Sequence, residues 1–135
     1  MVELEAGLSF IRQSPQDRGE LKLIVRRPAV LLREVIEVGV LDLAEGLVGD
    51  CWKARGSSRS EDGSAHPDMQ LNIMNVVEVT SQPHLGCQKF VQRFGLDAMK
   101  FVNSDVGRSL NLRGINARVV KPGQVTVGDW ATKVG

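Results

Sequence analysis

Cys87 has the strongest claim to chemistry in this sequence. It follows Pro83-His84-Leu85-Gly86 and opens Gln88-Lys89-Phe90-Val91-Gln92-Arg93, a stretch that reads as the start of a helix. A thiol in that place meets the positive end of the helix dipole, with Lys89 and Arg93 about one turn onward. Both effects favour the thiolate. A thiolate serves as nucleophile, sulfur acceptor or metal ligand, and His84 is the candidate to orient or deprotonate it. The alternatives are a small buried hydrophobe at Cys87 and a solvated loop histidine at His84. Spacing alone leaves both readings open. Cys51, between Asp50 and Trp52, reads as structural filler. A redox pair with Cys87, or a zinc site with His66 and His84, lacks any C-x-x-C or H-x-x-x-H spacing, so no metal site is expected.

A second constellation is the loop Lys53-Ala54-Arg55-Gly56-Ser57-Ser58-Arg59-Ser60. Lys53, Arg55 and Arg59, with the hydroxyls of Ser57 and Ser58, suit an oxyanion such as phosphate, because guanidinium forks bind bidentately. Arg93, Arg108 and Arg113 are further candidates for that anion. The alternative is a solvated basic loop balanced by Glu61 and Asp62. No P-loop, G-x-G-x-x-G fingerprint or Ser-His-Asp order is present.

The elements that must position these groups are mainly strands. Leu21, Leu23 and Val25 alternate with Lys22 and Arg26, and Ile36, Val38 and Val40 form a second alternating run. Ile115, Ala117 and Val119 form another, and Val125 and Val127 lead to Gly128-Asp129, after which the apolar phase shifts to Trp130. Residues 69–79 alternate over an unusually long run, with Met69, Leu71, Ile73, Val77 and Val79 on one face. Helical spacing is confined to residues 3–13 and to 87–104, the latter broken at Gly95. Three of the four Phe residues lie in that second stretch and are expected to plug the core. Residues 53–68, polar and rich in Gly and Ser, read as a long loop. The sum is a mainly β domain with short helices, a small barrel or sandwich.

Composition narrows the function. A chain of 135 residues fits one domain, 1–135, and 42% hydrophobic residues supply a core. A net charge of +1, 4% aromatics and no Tyr argue against a nucleic-acid surface. No secretory n-region or bilayer-length apolar run is visible, so no membrane partner is expected and the expected location is the cytoplasm.

Three segments, taken in order, resemble the MOSC domain, the module named for the C-terminal part of molybdenum-cofactor sulfurases. They are Glu45-Gly46-Leu47-Val48-Gly49-Asp50-Cys51-Trp52, the stretch from Pro83 to Phe90, and Gly114-Ile115-Asn116-Ala117-Arg118-Val119 running to Gly128-Asp129. The resemblance covers most of the chain from about residue 20. It implies a MOSC-like β-barrel in which Cys87 carries sulfur or engages the molybdenum cofactor. It also implies a sulfur-donor protein as partner, and brings molybdenum-ion and pyridoxal-phosphate binding into view. An oxyanion- or small-molecule-binding barrel without turnover is the competing reading. Two departures stand out. Many members have Pro-Arg where this chain has Pro83-His84. Relatives also carry a few dozen further residues between the pieces like Gln70–Asn75 and Val77–Thr80, which here abut. Fusion of two strands at Asn75/Val76 would leave the barrel incomplete in one chain. Its open edges would then pair with another copy, so a homodimer or higher oligomer, completed by strand exchange or edge pairing, is expected.

Overall fold

The computed structural model describes residues 2–13, 17–72, 77–79 and 88–134. They form two compact units, Gln16–Gln82 with Asn116–Gly135, and Met1–Pro15 with Pro83–Ile115. The first unit carries the strands β1 Arg18–Glu20, β2 Ile24–Arg26, β3 Glu34–Ile36, β4 Val38–Asp42, β5 Gly46–Leu47, β6 Val77–Val79, β7 Ala117–Val119, β8 Gly123–Thr126 and β9 Trp130–Thr132. They pair antiparallel as β1-β9, β2-β3, β5-β4-β8 and β6-β7. Among the described residues no sheet closes on itself, so the protein is mainly small β-sheets with short helices and no closed barrel.

The core of this unit is Ile24, Leu41, Leu47, Val119 and Val125, flanked by half-buried Leu21, Ile36, Leu71 and Val127. Fully burying such an aliphatic side chain is worth about 1.5–3 kcal/mol. The phase shift expected at Gly128-Asp129 is where the chain changes sheets. The Val127 N–H donates to Glu37 O at 2.9 Å and the Gly128 N–H to Leu21 O at 2.8 Å. Asp129 Oδ2 accepts from the Thr126 N–H at 2.7 Å and closes the turn.

Alternation identifies the buried face correctly in β7 and β8, where Ala117, Val119 and Val125 are buried. It points the wrong way in two other strands. Ile24 is buried while Leu23 and Val25 face solvent; in β4, Gly39 and Leu41 are buried while Val38 and Val40 are exposed. Both strands are apolar on both faces, so period 2 does not choose between them. Space does: a Cβ at Gly39 would lie 2.8 Å from Leu47 Cδ1. The crowded face is the inner one.

The single long strand expected over residues 69–79 is also corrected. Met69 ends a 3-10 turn, Pro67–Met69, whose first N–H is capped by His66 Nδ1, at 3.3 Å from the Asp68 nitrogen. Leu71 and Ala117 then exchange both backbone hydrogen bonds at 2.9 Å. A residue's N–H and C=O point to the same side of a strand, so this spends that edge of β7 on Leu71. The pairing of Val79 with Ala117 uses the other edge. Leu71 and β6 therefore flank β7 on opposite sides and cannot be one strand. The proposed fusion point, Asn75/Val76, lies outside the described residues.

In the second unit, α1 Val2–Ala6 and α2 Leu8–Ile11 divide the helix expected over residues 3–13 at Gly7. The helix α4 Gln88–Val102 breaks at Gly95, whose φ of +83° and ψ of 166° are readily adopted only by glycine. Ser104 caps α5 Asp105–Ser109, its Oγ accepting from the Gly107 N–H at 3.1 Å. The expected aromatic plug is only partly realised. Phe101 is buried, but Phe94 is 62% exposed and stacks on half-buried Phe90 at 4.8 Å.

Candidate functional site

Asp50 is a tightly held charged residue of the strand-bearing unit. Its Oδ1 accepts from Arg27 Nη2 at 2.8 Å and from the Trp52 N–H at 2.8 Å. Its Oδ2 accepts from Arg27 Nε at 2.9 Å and from the Arg27 backbone N–H at 2.8 Å. The carboxylate side chain is 6% exposed. Burial works against its ionisation, but the Arg27 side-chain and backbone hydrogen bonds, the Arg27 charge and the Trp52 N–H together hold it below the usual aspartate range. The segment before it explains how it arrives there. Leu47 is anchored in the core and Trp52 is buried at the start of α3 Trp52–Arg55. Between them Gly49, at φ +84°, passes Arg26 so closely that a Cβ would lie 2.8 Å from Arg26 Nη1. The stretch from Glu45 to Trp52 is thus a staple that sets Asp50 opposite Arg27.

Beside this pair lies a cleft of about 310 Å³. Its aliphatic lining is Leu21, Leu23, Ile24, Val25, Leu41, Leu47, Leu71 and Val125; its polar groups are Arg27, Arg33, Asp50, Gln70 and Asn72. Gln70 is buried and braces the cleft, its Nε2 donating to Leu43 O and its Oε1 accepting from the Val119 N–H, both at 2.8 Å. Arg33 is exposed and donates to Leu32 O at 2.6 Å. With Arg27 and Asp50 cancelling, the charged lining sums to one positive charge. The arrangement suits a molecule with an apolar body and a single negative charge.

The residues singled out in the sequence fall elsewhere. Lys53 and Arg55 are exposed on α3. The following loop is organised by its own groups: Ser57 N–H donates to Gly63 O, and Ser57 Oγ accepts from the Arg59 N–H at 3.1 Å. Asp62 Oδ1 accepts from the Ser64 N–H at 2.9 Å, and its hydrogen bonds with Ser64 hold its carboxyl below the usual range. Ser58 and Arg59 are exposed. Lys89, Arg93 and Arg108 are exposed residues of the second unit, and the Arg113 guanidinium lies 4.3 Å from the centre of the Phe90 ring. Cys87 and His84 lie outside the described residues. Cys51 is a half-buried free thiol whose N–H donates to Arg27 O at 2.7 Å.

Sequence reasoning missed Arg27, Arg33 and Gln70 as site residues and used Asp50 only as part of a resemblance. The one available signal was the tight Gly46 to Asp50 segment, since local spacing does not connect residues 23 apart. Comparison with protein-family models, curated proteins and solved structures finds no match to this chain. Among the described residues no helix is long and apolar enough to cross a membrane, and no three His, Cys, Asp or Glu side chains cluster to hold a metal ion. Arg27 commits two nitrogens to Asp50, which leaves one uncompensated cation in the cleft.

Proposed function

We propose that the strand-bearing unit is a small-molecule-binding module that takes an amphiphilic monoanion, such as a medium-chain carboxylate, in the Arg27–Arg33 cleft. The observation that carries this reading is the pairing of an aliphatic lining with one uncompensated positive charge. Asp50 fixes Arg27 in place, so the guanidinium is oriented before a ligand arrives and loses little freedom on binding. Titration calorimetry with octanoate, octanol and octylamine tests it. Octanoate should bind with a Kd on the order of 100 µM, the other two far more weakly, and Arg33→Gln should weaken octanoate several-fold. Octanol binding as tightly as octanoate, or no heat from any of them, overturns the reading.

A second reading is favoured by the three ordered MOSC-like segments: an incomplete MOSC-like barrel in which Cys87 is a sulfur carrier. The Cys87 thiolate would attack the sulfane sulfur of a donor persulfide. A new S–S bond forms as the donor's breaks, and the donor leaves as thiolate with no net redox change. Lys89 and Arg93 would favour the thiolate. Incubation with a cysteine desulfurase and cysteine should add about 32 Da, one sulfur atom, at Cys87 and not in Cys87→Ser. Absence of that adduct removes this reading and leaves the cleft reading untouched.

A further inference from the structure

The segment Pro28-Ala29-Val30-Leu31-Leu32 joins two residues of the cleft wall, Arg27 and Arg33, yet none of the five lines the cleft itself. A loop that only turns the chain from β2 to β3 is expected to be polar. This one holds no charged or hydrogen-bonding side chain, and Val30, Leu31 and Leu32 are all exposed, Leu31 by 72%. Both of its ends are fixed. Arg27 is bound to Asp50 through backbone and side-chain nitrogens, and its carbonyl accepts from the Cys51 N–H at 2.7 Å. Glu34, one residue beyond Arg33, is in register with Arg26 on the β2–β3 ladder.

Between those anchors the backbone is strained. Leu32 N–H donates to Ala29 O at 3.1 Å, closing a turn over 29–32, and Leu31, its third residue, has a φ of +67°. Glycine or asparagine normally fills that position; leucine there is strained while most of its side chain meets water. Arg33 is held to the end of the same turn, its Nη1 donating to Leu32 O at 2.6 Å.

We propose that residues 28–32 form a flap over the Arg27–Arg33 cleft, which closes on the apolar tail of the bound monoanion and sets the chain length that the cleft favours. The inference rests on the ligand reading above. A carboxylate, unlike the Leu32 carbonyl, carries a full negative charge and takes two guanidinium nitrogens at once, so binding draws Arg33 off the turn. The turn is then free to give up the positive φ at Leu31. Release of that strain favours closure, and Val30, Leu31 and Leu32 exchange water for the ligand's tail. A ligand too short to reach the flap gains none of this. The preferred ligand is therefore a monocarboxylate longer than octanoate, with a tail that runs past the Leu23 and Val25 wall.

Calorimetry with octanoate and decanoate on wild type, Leu31→Gly and Val30→Ser/Leu32→Ser tests it. Burying one methylene is worth roughly four-fold in affinity, so decanoate should bind wild type about ten-fold more tightly than octanoate. Leu31→Gly, which relaxes the turn and leaves the core untouched, should keep or raise the melting temperature while shrinking that ratio to about two. The double variant should shrink it likewise. Wild type alone supplies a readout that does not depend on variant folding: nuclear Overhauser contacts from the decanoate terminal methyl should reach the Leu31 and Leu32 methyls. Contacts with Leu23 and Val25 only, or one decanoate-to-octanoate ratio in all three proteins, overturn the flap and leave the cleft reading standing. Failure of both ligands to bind wild type overturns the cleft reading and the flap together.

Discussion

Arg26 and Arg27 are neighbours in sequence, and each holds a carboxylate, yet the two pairs do different work. Arg26 Nε meets Glu34 Oε2 at 2.7 Å across the hairpin, with both side chains in contact with water, at 31% and 44% exposure. The hydrogen bond to Arg26 is the main reason that the Glu34 carboxyl sits below its ordinary range, and water competes for it. Arg27 meets an Asp50 carboxylate that is almost wholly shielded and that also accepts two backbone N–H groups. Water cannot replace those partners once Asp50 is in place. The first pair decorates a hairpin; the second fastens the Glu45–Trp52 segment to the end of β2 and orients the cleft's guanidinium. Local chemistry is the same, and burial decides the consequence.

The sharpest way to break this contrast is to remove the carboxylates one at a time. Asp50→Ala leaves Arg27 without its partner and strands the Trp52 and Arg27 amides, so urea unfolding should show a loss of about 2–4 kcal/mol. Acid should erase that difference. Asp50 titrates lower in the folded chain than in the unfolded one, so its contribution is fully present above the ordinary value of about 3.9 and disappears as pH falls through the folded value. Wild type and Asp50→Asn should therefore differ in urea midpoint at pH 7 and converge as the pH falls through the folded value. The smallest effect is expected at the exposed pair. Glu34→Ala should leave the urea midpoint unchanged within error, because screening and side-chain entropy offset an ion pair in water. A Glu34→Ala loss as large as that of Asp50→Ala would dissolve the distinction.

The same contrast explains what could be read from the sequence. The mainly β class was legible, as were the break at Gly95 and the turn at Gly128-Asp129, because each rests on short-range rules of periodicity and backbone freedom. The buried faces of β2 and β4 were not. With Ile24 beside Val25, and Val38 and Val40 beside Leu41, the choice of face depends on what packs from a distance, here Leu47 against Gly39. The long alternating run at residues 69–79 concealed a reversal around β7, which only the double use of Ala117 reveals. At the site, basic and hydroxyl-rich composition drew notice to residues 53–60, whose serine and aspartate groups mainly organise their own loop. Arg27 and Asp50 lie 23 residues apart and carry no joint signature in sequence.

The central claim is that ligand recognition belongs to the Arg27–Arg33 cleft. A ¹H–¹⁵N correlation titration with octanoate reads it residue by residue. The account predicts saturable shifts at Ile24, Arg27, Leu41, Leu47 and Leu71, with residues 53–60 and α4 unmoved. Shifts confined to residues 53–60, or none at all at millimolar octanoate, would contradict it.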